Sequence, residues 1–111
     1  MKRRTSIIAG SANIFSDLGL PESETHLLKA QIVSEIYRLV TERKLTQIQA
    51  GKRMGISQPE VSRLFKGHFR EYSVERLMGF LTALGRDVEI TVRPRRPAGK
   101  AGRIIFTSAH A

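Results

Sequence analysis

Residues 45–67 read LTQIQAGKRMGISQPEVSRLFKG. Two short helices with a tight turn between them follow from this stretch. Thr46 is a favoured N-cap, and Gln49 three places on completes a T-x-x-Q box, so the first helix runs from Thr46 to Met54. Gly55 ends it by supplying a positive φ at no steric cost, and the turn is Gly55-Ile56-Ser57. Ser57 caps the second helix, Glu60 closes an S-x-x-E box, and Pro59 falls in the first turn, where a missing N–H is harmless.

The apolar spacing packs the two helices together. Ile48, Met54, Ile56, Val61 and Leu64 form the expected inner face, and Ala50 and Gly51 are small enough for close approach. The outer face of the second helix carries Gln58, Ser62, Arg63 and Lys66. A polar, basic face that begins at a helix N-terminus suits a DNA major groove.

On Gln47, Gly55, Ile56, Val61 and Leu64, the stretch resembles the helix-turn-helix of the phage lambda repressor and Cro group, the XRE-type regulators. It departs at Gly51, where that family usually has Ala, a change that costs about 1 kcal/mol of helix propensity. The resemblance extends from Ile14 to Pro94. The runs LGLPESETHLLKA and FREYSVERLMGFLTALGRDVEITVRP on either side look like the HigA-like antitoxins of type II toxin–antitoxin modules. The implied fold is mainly α: a four- to five-helix, lambda-repressor-like DNA-binding domain, with a C-terminal β-strand used in dimerisation.

A chain of 111 residues has room for one small domain, and 41% apolar residues can supply its core. With no cysteine there is no disulfide framework or thiolate metal site, which fits a reducing cytosol. The histidines, His26, His68 and His110, are far apart, so no metal site is expected, and no cofactor motif appears. No apolar run reaches membrane-spanning length, and MKRRTSIIAGSANIF has too short an apolar core for a secretory signal. A cytoplasmic, nucleoid-associated protein is expected.

The net charge is +9, and its placement is informative. Residues 21–45 hold four basic and four acidic side chains. Residues 46–72 hold five basic against two acidic, and residues 93–111 hold five basic and no acid. The excess lies on the helix-turn-helix and at both ends, as a polyanionic partner would require.

Three segments follow. Residues 1–20 read as an arm: Lys2, Arg3 and Arg4 are basic and exposed, while Ile14, Phe15, Leu18 and Leu20 could dock on the domain or a partner. Residues 21–93 form the helix-turn-helix domain, with the motif at 46–67 and a strand at 87–93. Its first helix spans Pro21 to Lys44, with Leu28, Ile32, Ile36, Leu39 and Val40 facing inward, Leu27 and Tyr37 widening the stripe, and His26 on the exposed side. The connection GHFREY is read as polar. Ser73 caps a helix whose stripe is Val74, Leu77, Met78, Leu81 and Leu84, widened by Phe80 and ended by Gly85. Val88, Ile90 and Val92 then alternate with Asp87, Glu89 and Thr91, a period-two strand with one apolar face. A lone strand leaves its backbone groups unpaired. Its partner is either the same strand of a second subunit or a toxin, or residues 103–107 in a hairpin. Residues 94–111, rich in Pro, Gly and Arg, read as a flexible basic tail.

Roles at the DNA follow from position. Gln58 and Ser62, early in the recognition helix, face base edges; Gln can pair bidentately with adenine, and Arg63 with guanine or a phosphate. Ser57, Lys66, His68 and Arg70 are read as phosphate contacts that set register, with Ser57 also explicable as a cap alone. The resemblance implies a phosphate contact for Gln47. Glu60 is structural. One such motif buries too little surface for tight specific binding, so a homodimer through Val88, Ile90 and Val92 on a palindromic operator in double-stranded DNA is expected.

No nucleophile–base pair, carboxylate pair or phosphate-binding loop has motif spacing, so no catalytic residue and no enzyme is expected. The resemblance implies an antitoxin that represses its own operon and binds a RelE/HigB-like toxin. For a basic toxin, Glu22, Glu24, Glu35 and Glu42, or the apolar part of the arm, are candidate surfaces. The alternatives are a stand-alone or prophage regulator without a toxin, and an RNA-binding helix-turn-helix protein.

Overall fold

The computed structural model describes residues 22–94 and 101–109. The arm expected over 1–20 and the basic positions at 95–100 lie outside them. Among the described residues there are four helices: α1 (Glu22–Glu42), α2 (Gln47–Met54), α3 (Gln58–Phe65) and α4 (Val74–Ala83). Helix α1 packs on α4 and α3, and α2 packs on α3 and α4. They enclose one core. Ile32, Ile36 and Leu39 of α1 meet Val61 and Leu64 of α3 and Leu77 of α4, with Leu84 just beyond α4, all essentially without solvent contact.

The helix ends follow a shared pattern. After α3, Gly67 is left-handed, and the amides of Gly67 and His68 reach back to the carbonyls of Leu64 and Arg63. After α4, Gly85 and Arg86 do the same toward Thr82 and Leu81. After α1 the bonds repeat, Lys44 to Thr41 and Leu45 to Val40, but the left-handed position is a lysine at φ 57°. The tight exit to α2 therefore holds a side-chain-bearing residue in a conformation that disfavours it.

Several expectations about the core need correction. Ile48 is 60% exposed, because α2 turns Ala50, Gly51 and Met54 inward and Ile48 falls on the opposite side. Leu27 and Tyr37 are likewise exposed. The inward stripe of α1 takes Val33 instead, and Tyr37 meets Phe65 edge-on at 5.1 Å on the outside. The connection after α3 is less polar than it reads. Phe69 is buried, and half-buried His26 stacks on it at 5.0 Å.

The expected strand does not form within the single chain. No described residue belongs to a β-strand, and Val88, Ile90 and Val92 are exposed, Val92 to 92%. The hairpin with residues 103–107 is not formed either. Alternation supplies an apolar face, but a strand exists only where a neighbouring backbone accepts its hydrogen bonds. Residues 101–109 make other contacts. Arg103 and Ile104 line a recess with Glu24, Leu27, Leu28 and Gln31 of α1, Phe106 packs against the core, and the Ala109 carbonyl accepts from Arg86 Nη2 at 2.7 Å.

Candidate nucleic-acid interface

Both short helices are started by complete capping boxes. Thr46 Oγ1 accepts from the Gln49 amide at 3.0 Å, and Gln49 Oε1 accepts from the Thr46 amide at 2.8 Å. Ser57 Oγ accepts from the Glu60 amide at 3.3 Å and donates to Glu60 Oε1 at 3.1 Å, which also takes the Ser57 amide at 2.9 Å. These bonds from Ser57 favour the ionised carboxyl and hold Glu60 below the usual carboxylate range, with Arg76 and Arg63 adding smaller attractions. Glu60 is thus structural, as expected, and the Ser57 hydroxyl is fully engaged in its cap.

Helix α3 is positioned by its contact with α2. A Cβ built on Gly51 would lie 2.5 Å from the backbone oxygen of Ile56. Gly51 is therefore more than a tolerated departure from alanine: the turn passes too close for any side chain. This closeness brings the starts of α2 and α3 together, and Gln58 Nε2 donates to Gln47 Oε1 at 2.5 Å. Among the described residues, one amide hydrogen and the oxygen of Gln58 stay available, as do both amide hydrogens of Gln47.

The remaining candidates separate. Val61 and Leu64 turn inward, which leaves Arg63 exposed and Ser62 half-exposed on α3, and Lys66 exposed just past its end. His68 is exposed in the following turn. Arg70 sits by the start of α1, where its guanidinium pairs with Glu22 at 3.1 Å and its carbonyl accepts from Lys29 Nζ at 2.8 Å. Partial burial, then the Arg70 charge, lowers the Lys29 pKa. Of the acids considered for a protein partner, Glu35 is buried and bridged to Arg38, which also holds Glu42. Glu24 is exposed on the recess beside residues 103 and 104.

One basic residue beside α3 escaped the sequence reading. Arg76 lies over the rings of Tyr72 and Phe80, 5.1 and 5.6 Å from their centroids. The signal available was the four-residue spacing of Tyr72, Arg76 and Phe80, of which the sequence reading used only Phe80, as part of the core stripe.

The family model for a helix-turn-helix domain matches residues 14–93. A solved structure named "Putative XRE Family Transcriptional Regulator" is 36% identical, with a TM-score of 0.75, over 80% of this chain and all of the other. The chain belongs to the XRE-type helix-turn-helix family. Among curated proteins no match was found. Within this XRE-type domain, no helix among the described residues is long and apolar enough to cross a membrane, and no described cluster of His, Cys, Asp or Glu could hold a metal.

Proposed function

We propose that this XRE-type protein is a sequence-specific repressor that binds double-stranded DNA through α3. The supporting observation is the start of α3, where a capped helix N-terminus presents Gln58, itself held by Gln47, beside exposed Arg63 and Lys66. Gln58 keeps one donor and one acceptor, the pair that an adenine edge requires. Ser62 and Arg63 complete the base-facing set. Gln47, Lys66, His68 and Arg70 contact phosphates, Arg70 by exchanging its weak exposed pair with Glu22 for a phosphate, while Ser57, whose amide and hydroxyl both donate to Glu60, serves as the cap. The protein acts as a homodimer on a palindromic operator, with Val88, Ile90 and Val92 pairing across the two-fold axis. The exposure of these three apolar residues in the single chain supports that role.

The biological setting is an antitoxin that represses its own operon in the cytoplasm, at the nucleoid, and neutralises a RelE/HigB-like toxin. A regulator without a toxin is the second reading, favoured by the name of the related structure. Purification of the tagged protein from its native host, with mass spectrometry of stoichiometric companions and footprinting on its own promoter, tests both. A small basic companion with promoter protection supports the antitoxin; protection without a companion supports the plain regulator; no protection at all overturns the DNA-binding reading.

A further inference from the structure

Arginines in this domain divide into two groups. Arg38 is bonded to Glu35 and Glu42, Arg43 donates to the Leu84 carbonyl, Arg70 pairs with Glu22, and Arg86 donates to the Ala109 carbonyl. Arg76 differs. It is exposed, and among the described residues its guanidinium forms no ion pair and donates no hydrogen bond. It is still not free to wander, because it lies over the Tyr72 and Phe80 rings, which themselves meet edge-on at 5.7 Å. Cation–π contact of this kind restrains the guanidinium and leaves its N–H donors available.

Its location relative to α3 gives this availability a use. Val61 and Leu64 define the inward side of α3. On a helical wheel Gln58 then falls on one flank, against Gln47 of α2, while Glu60 and Arg63, three apart, share the other. Tyr72, which Arg76 covers, follows α3 by seven residues, and both side chains are near enough to interact electrostatically with Glu60 on that second flank. A helix in a major groove has a phosphate wall on each side. Gln47 faces one wall, and a cation on the opposite flank faces the other.

We infer that Arg76, held across Tyr72 and Phe80, contacts a DNA phosphate on the groove wall opposite the one reached by Gln47. This rests on the DNA-binding reading above. Held against two rings, the guanidinium meets a phosphate with less ordering still to be done.

The test is the salt dependence of binding to a short mixed-sequence duplex, for the full chain and for Arg76→Gln and Arg76→Lys. Binding by the unaltered protein that weakens with salt keeps the DNA reading intact; no binding by it means that reading has failed, and this inference with it. Given binding, Arg76→Gln is expected to reduce the log–log salt slope by about 0.9, the share of one phosphate contact, and Arg76→Lys to retain it. A ring-packing role alone would change thermal stability and leave the slope untouched, and an unchanged slope in Arg76→Gln overturns the inference. Should Arg76→Gln not fold, arginine modification of the unaltered protein by phenylglyoxal decides: DNA is expected to protect Arg76, and equal reactivity with and without DNA overturns the contact.

Discussion

Helix α3 and the segment 86–94 are of similar length and each has a clear periodic pattern, yet only one became the element its pattern implies. In α3 the local signals close on themselves. Ser57 and Glu60 satisfy the first amides, Gly67 permits the exit, and Val61 and Leu64 find a core made by the other helices. In 86–94 the alternation of Val88, Ile90 and Val92 is equally regular, but no strand forms there among the described residues, and these three side chains stay exposed. A helix satisfies its backbone from within; a strand borrows its partner.

The largest effect that tests this contrast is core truncation. Leu64→Ala empties a fully buried site and is expected to cost about 2–5 kcal/mol in chemical denaturation. Val92→Ala in the dilute single chain is expected to stay within about 0.5 kcal/mol. A larger cost that grows with protein concentration would show that 86–94 is buried in a dimer.

Two glycines within helices give the next contrast. Gly51→Ala drives a methyl into the Ile56 carbonyl, and overpacking of this kind costs about 1–3 kcal/mol. Gly79→Ala meets open space in α4 and is expected to stabilise by about 0.5–1 kcal/mol. Equal effects in thermal melts would mean that the α2–α3 turn relaxes easily.

Removing the cap of α3 comes next. Ser57→Ala is expected to cost about 1 kcal/mol by urea titration, since it leaves the Glu60 amide without its acceptor. A negligible cost would mean that packing of Val61 and Leu64 alone holds the helix.

The smallest effect is on pH. The folded-state pKa of Glu60 lies below its unfolded value, so its contribution is fully present above about pH 4.3, the ordinary Glu value, and is lost as pH falls through the depressed folded value. Glu60→Gln keeps a box-forming side chain without the charge. The melting-temperature advantage of the unaltered protein over this variant is therefore expected to shrink as pH is lowered from neutral through that range. An advantage that is constant with pH would place the effect in shape rather than charge.

The helix-turn-helix was legible because its signals are short-range. Thr46–Gln49, Ser57–Glu60 and Gly55 all act within four residues, and the structure reproduces both boxes and the left-handed glycine. The exposure of Ile48 and Tyr37 and the burial of Phe69 were not legible. Each depends on which neighbour covers a helix flank or loop, and hydrophobicity alone does not say that. Lys44 shows the same limit. Its left-handed backbone is imposed by where α2 must begin, and its residue type gives no sign of it.

By itself, then, the sequence determined the helix starts, the turn and the polar identity of the α3 surface, because hydrogen bonds between near neighbours and helical periodicity decide them. Only the tertiary structure decided that Gln47 holds Gln58, that Arg70 faces α1, that Arg76 lies over Tyr72, and that no strand forms over 87–93 among the described residues. Those outcomes depend on which surfaces meet across tens of residues, and the pattern along one segment contains no term for a distant partner.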